Sequence, residues 1–124
     1  MEALVIDDSR TMRKILGKIL SRVGFSVVHE AGDGVEALET LRRIGPVALA
    51  LVDWNMPHMN GYDFVRLVRS RRDFDALRLM MVTTETEAER VYAALEAGAD
   101  EYVMKPFTEE VILGKLEILG LVAT

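Results

Sequence analysis

Short apolar runs alternate with helix-periodic segments along the whole chain, and no other feature limits the fold as much. The runs lie at residues 3–7, 26–30, 47–53, 78–83 and 100–104, each of a length that suits a buried strand. Between the first two, Met12, Ile15, Leu16, Ile19, Leu20 and Val23 recur at the i, i+3, i+4 spacing of one helical face. Val35, Leu38, Leu41 and Ile44 do the same after Asp33, an N-cap residue type. A third helix is expected around Phe64, Val65, Leu67 and Val68, a fourth around Val91 or Tyr92 with Leu95, and a fifth around Val111, Ile112, Leu116 and Leu119. Gly24, Gly45-Pro46 and Gly98 fall where the first, second and fourth helices must stop. Five βα units in succession predict an α/β fold, a doubly wound five-stranded parallel sheet with five helices on its two faces.

A sheet of that size and its helices use up 124 residues, so one domain spanning 1–124 is expected. Cysteine is absent, which excludes disulfides and thiolate metal sites. No apolar stretch is long enough to cross a membrane and no secretory leader is visible, so a cytoplasmic protein without membrane contact is expected. A net charge of −5 argues against direct binding of nucleic acid by this chain.

The chemistry-bearing residues sit at the strand ends. Asp7 and Asp8 close the first run and Asp53 closes the third. In an open sheet of strand order 2-1-3-4-5, the order reverses between strands 1 and 3, and ligands bind beyond the carboxyl ends of the strands at that point. Three carboxylates meeting there repel one another unless a cation joins them. An all-oxygen set of this kind suits Mg2+, an ion that keeps several waters and works with phosphoryl groups. Lys105, just past the fifth run, is placed to bring a further positive charge, and phosphoryl transfer is the chemistry this suggests.

Asp7-Asp8, the segment Asp53-Trp54-Asn55-Met56-Pro57, the segment Val82-Thr83-Thr84-Glu85 and Lys105-Pro106-Phe107-Thr108 together resemble the receiver domain of two-component response regulators. The likeness runs over nearly the entire chain and is greatest to the single-domain chemotaxis members of that family. It implies a flavodoxin-like fold and a phosphorylation-activated switch rather than an enzyme acting on other substrates. It implies that Asp53 takes a phosphoryl group from a histidine kinase, with Asp8, Asp53, the carbonyl of Asn55 and, through water, Asp7 holding Mg2+. Lys105 and Thr83 would contact the phosphoryl oxygens, Thr83 and Tyr102 would form the switch pair, and Asn55 and Glu85 would tune dephosphorylation. The output would be a downstream protein bound by the face of helix 4, strand 5 and helix 5, with the chain a monomer or weak homodimer. A cis bond between Lys105 and Pro106 is also implied. Thr84 departs from the small alanine expected beside the switch threonine.

Other readings make distinct demands on the same residues. Aspartyl-phosphate phosphohydrolases place a second acid two residues after the nucleophile to protonate the leaving group, and here that residue is Asn55. Flavodoxins need a phosphate-cradling first loop, where Asp7, Asp8 and Ser9 would repel a phosphate. A receiver cut from a DNA-binding response regulator would give the same pattern as a stand-alone one. The acids Glu85, Glu87 and Glu89 at the start of the fourth helix differ from the basic start of the best-known chemotaxis example, which weakens a flagellar motor partner without removing it. His29 and His58 have no companion at metal-ligand spacing, and Arg66, Arg69, Arg71, Arg72 and Arg78 are expected to form a solvated basic face. Trp54 is placed to cover the site and to report metal binding.

Overall fold

A computed structural model describes residues 1–84 and 88–122. The strands are β1 (Glu2–Ile6), β2 (Val27–Ala31), β3 (Leu49–Val52), β4 (Arg78–Thr83) and β5 (Glu101–Met104). They alternate with α1 (Arg10–Arg22), α2 (Gly34–Ile44), α3 (Gly61–Arg69), α4 (Ala88–Ala97) and α5 (Glu109–Ile118). All strand pairs are parallel and the order is β2-β1-β3-β4-β5, as expected from the sequence. A short 3-10 turn over Arg72–Phe74, which the sequence reading did not anticipate, buries Phe74 ahead of β4.

Strand residues alternate between two cores. Leu4, Ile6, Ala50, Val52, Leu79 and Met81 face α2, α3 and α4, whereas Ala3, Val5, Leu49, Leu51, Met80 and Val82 face α1 and α5. Because both sheet faces are covered, the central strands β1, β3 and β4 are apolar except for Glu2, Arg78 and Thr83 at their ends, which is why they read as runs rather than alternations. Helix starts are set by side-chain caps: Ser9, Asp33, Asn60 and Thr108 each accept from the backbone N–H three residues on. Gly24 and Gly98 end their helices at φ of 120° and 122°, a conformation that side chains resist.

Two sequence expectations change in three dimensions. Among the described side chains of α4 the buried one is Ala94, with Val91 and Ala97 packed beside it, and Tyr92 and Leu95 are exposed. Small residues let α4 lie close to α3, and the larger apolar side chains are left on its outer flank. Arg69, expected on a solvated face, is instead largely enclosed. Its guanidinium donates to the carbonyls of Gly98, Phe74 and Leu77 and to Asp100 Oδ2 at 2.6–3.0 Å, so its planar donors tie the end of α3 to the α4–β5 turn.

Candidate functional site

β1 and β3 are neighbours with Ile6 opposite Val52, so the residues that follow them, Asp7 and Asp53, leave the sheet side by side. Each is held by its own backbone: Asp53 N–H donates to Ile6 O at 2.9 Å and Asp7 N–H to Ala31 O at 3.1 Å. Asp7, Asp8 and Asp53 offer carboxylate oxygens that all lie within 4.8 Å of one another. Asp7 and Asp53 are buried and Asp8 is exposed, which leaves the cluster open on one side.

Lys105 enters from the end of β5. Its Nζ donates to Asp7 Oδ2 at 2.9 Å and lies 3.7 Å from Asp53 Oδ1. Its N–H donates to Thr83 O at 2.9 Å, which fixes the ends of β4 and β5 beside the cluster. The Lys105–Pro106 peptide is cis. Thr83 is fully buried at the end of β4, and Tyr102 is buried in β5. Asn55 is exposed in the β3–α3 loop, two residues beyond Asp53. Glu85 lies outside the described residues.

Further side chains shape the site. Asp7 Oδ1 accepts from Ser9 N–H at 2.8 Å, and its main-chain carbonyl accepts from Arg13 Nη1 at 2.7 Å. Gly61 sits directly against the Asp53 carbonyl, and a Cβ at this position would overlap that oxygen. Neither Arg13 nor Gly61 was singled out from the sequence. Asn60-Gly61 ahead of a helical run was a usable signal, since a cap followed by glycine marks a close backbone approach. Nothing in the sequence links Arg13 to Asp7.

Trp54, the residue after Asp53, is buried in the core shared with α3 and α4. It stacks on Tyr62 with ring centroids 5.5 Å apart, and Arg90 of α4 and Arg66 of α3 lie over the outer faces of Trp54 and Tyr62 at 5.8 and 5.7 Å. His58 is exposed and bonds Asp33 at 2.8 Å, and His29 bonds Glu2 at 2.8 Å. Both are therefore surface partners of acids.

Burial, reinforced by the charge of Asp7, pushes the Asp53 carboxyl up from 3.8 to about 6; Lys105 opposes that rise, Asp8 adds to it, and the Trp54 N–H stabilises the ionised form. Three carboxylates against one lysine leave the cluster short of positive charge, and every side-chain donor in it is a hard oxygen. That donor set fits a divalent cation of the Mg2+ type and suits neither copper nor a structural zinc.

The family profile described as "Response regulator receiver domain" matches residues 3–117. The chain belongs to the response regulator receiver family. This receiver domain is 46% identical over 119 residues to the chemotaxis protein CheY1 of Helicobacter pylori, with 96% of each chain covered. It is 45% identical over 121 residues to a chemotaxis protein CheY homolog of Campylobacter jejuni, covering 97% of this chain and 93% of the relative. Among solved structures, the chemotaxis response regulator CheY4 of Vibrio cholerae superposes with a TM-score of 0.86 at 32% identity, covering 95% of the receiver domain and 97% of CheY4. A CheY-type receiver is a phosphorylation-dependent signalling switch, and the receiver's acidic cluster is of a kind that can bind Mg2+.

Proposed function

We propose that the chain, acting as one receiver over 1–124, accepts a phosphoryl group on Asp53 from a histidine kinase and thereby changes the face through which it binds a downstream protein in a chemotaxis-type pathway. The observation that carries this reading is Lys105 Nζ, poised between Asp7 and Asp53 at the rim where the strand order reverses. The nucleophile is an Asp53 carboxylate oxygen. It attacks phosphorus, the P–N bond to the donor imidazole breaks, and an acyl phosphate forms while the imidazole takes up a proton. Lys105 supplies a compact positive charge to the phosphoryl oxygens, and the Thr83 hydroxyl is the further donor at the same strand ends.

Asp8, Asp53 and the Asn55 carbonyl would hold Mg2+, with Asp7 acting through bound water. When bound, that ion neutralises charge on the phosphoryl oxygens as the P–O bond forms. Thr83 and Tyr102 form the switch pair: movement of the hydroxyl toward the new phosphoryl group is coupled to the Tyr102 ring, at the junction of β4, α4 and β5. Asn55 and Glu85 set the lifetime of the acyl phosphate by orienting or excluding water. The protein works in the cytoplasm, as a monomer or weak homodimer, and its only chemistry is on its own aspartate.

The test is intact-mass measurement after exposure to acetyl phosphate and Mg2+. Gain of one phosphoryl group that is lost in Asp53→Ala supports the reading. Absence of the gain, or its persistence in Asp53→Ala, overturns it.

A further inference from the structure

β5 is an edge strand, α4 lies on one face of the sheet and α5 on the other, so this end of the molecule presents α4, β5 and α5 side by side. The flanks of the two helices are fixed by contacts. Arg90 reaches Trp54 on the α3 side of α4, which at 3.6 residues per turn puts Leu95 and Tyr92 toward β5 and outward. Lys115 Nζ donates to Glu101 of β5 at 2.9 Å, and Val111 and Ile118, four before it and three after, share its flank of α5. Five large apolar side chains therefore stand exposed around one strip: Tyr92 at 64%, Leu95 at 42%, Met104 at 36%, Val111 at 44% and Ile118 at 72%.

Acids flank this strip on both sides. Glu89 and Glu96 follow Tyr92 and Leu95 around α4, and Glu110 and Glu117 lie on the outward side of α5. None of these four has an ion pair among the described residues. Residues 88–122 carry seven acids and three cations, whereas residues 1–84 carry eleven acids and twelve cations. The three cations are already engaged: Arg90 over Trp54, Lys105 in the carboxylate cluster, Lys115 on Glu101.

We infer that this face takes a cationic amphipathic segment of a partner protein, with apolar side chains seated on the strip and Lys or Arg on both flanks meeting the four glutamates. Charge complementarity selects that occupant, since an acidic segment would meet like charge along both edges. A second copy of the chain would face glutamate with glutamate in the same way. The inference deepens the proposed function by naming the partner chemistry of the same face.

The probes are two synthetic helical peptides with the same leucine positions, one with lysine and one with glutamate at every polar position. Binding is followed by amide chemical shifts of the labelled chain, with Mg2+ alone and with Mg2+ and beryllofluoride. The lysine peptide is expected to bind at least about tenfold more tightly and to shift Tyr92, Leu95, Met104, Val111 and Ile118. The double variant Glu89→Lys, Glu96→Lys should reduce or invert the preference, while Asp73→Lys with Asp75→Lys, remote from the strip, should leave it unchanged. Preference for the glutamate peptide, no binding of either, shifts centred elsewhere, an unaltered preference in the double variant, or a dimer formed through this face would overturn the inference. Because the preference is also read on the unmodified chain, failure of Asp53 to be phosphorylated would refute the switch and not this partner assignment.

Discussion

Asp53→Asn should stabilise the metal-free protein at neutral pH. In the native state the Asp53 carboxyl is raised from 3.8 to about 6, chiefly by burial and then by Asp7. Below both values the group is protonated whether the chain is folded or not, and it costs nothing. As pH rises past 3.8 the unfolded chain releases its proton first, so stability falls until the native group has also ionised, above about 6. That rise corresponds to about 3 kcal/mol. Asparagine removes the charge while keeping a buried polar group, so a gain of about 2 kcal/mol near pH 7 is expected, a rise in Tm of roughly 5–10 °C for a domain of this size. Urea unfolding in chelator, followed by far-ultraviolet circular dichroism, measures it. The gain should shrink toward zero near pH 4 and narrow when saturating Mg2+ stabilises the parent. A variant no more stable than the parent at neutral pH, or a gain independent of pH, would refute the electrostatic account of the cluster.

Other substitutions test separate parts of the structure. Lys105→Ala should slow phosphoryl acceptance by roughly 100-fold, read as the rate of mass gain with acetyl phosphate, because a positive charge directed at the reacting oxygens is lost. Gly61→Ala should destabilise the fold by about 3 kcal/mol or more, measured by urea unfolding, since its Cβ would collide with the Asp53 carbonyl. Gly17→Ala should do the opposite, adding about 0.5–1 kcal/mol in the same assay. Gly17 lies inside α1, and a Cβ there would meet only Val28 Cγ1 at an ordinary 3.9 Å.

Most of the architecture was legible because buried parallel strands leave a strong mark. The run at 78–83 coincides with β4, and the others lie within a residue or two of their strands. Asp33 caps α2 as expected, and Gly24, Gly45 and Gly98 all adopt positive φ. The positions of Asp7, Asp8, Asp53 and Lys105 could be read because each follows an apolar run, and the topology then brings those ends together. What escaped the sequence depended on distance rather than on pattern. Arg69 looks like any surface arginine until the chain folds and surrounds it with carbonyls. Tyr92 and Leu95 satisfy a helical period, yet which flank turns inward was decided by Ala94 and Ala97 fitting against α3. Arg13 and Gly61 act on the site through the backbone of Asp7 and Asp53, and no local periodicity encodes such contacts.

The guanidinium of Arg69 also sets how α4 can travel. Its donors hold Gly98 and Asp100, so the trailing end of that helix is pinned to α3 and to the start of β4, where Leu79 N–H also donates to Asp100 Oδ2 at 2.8 Å. A side chain at position 98 would run into the arginine stem, so only glycine allows this close approach. With its trailing end held in this way, any displacement of α4 is expected to be greatest at its first turn. Arg90, in the first turn of α4, lies over the Trp54 ring, so a shift of that turn is expected to change the indole fluorescence, which a titration with beryllofluoride and Mg2+ would measure.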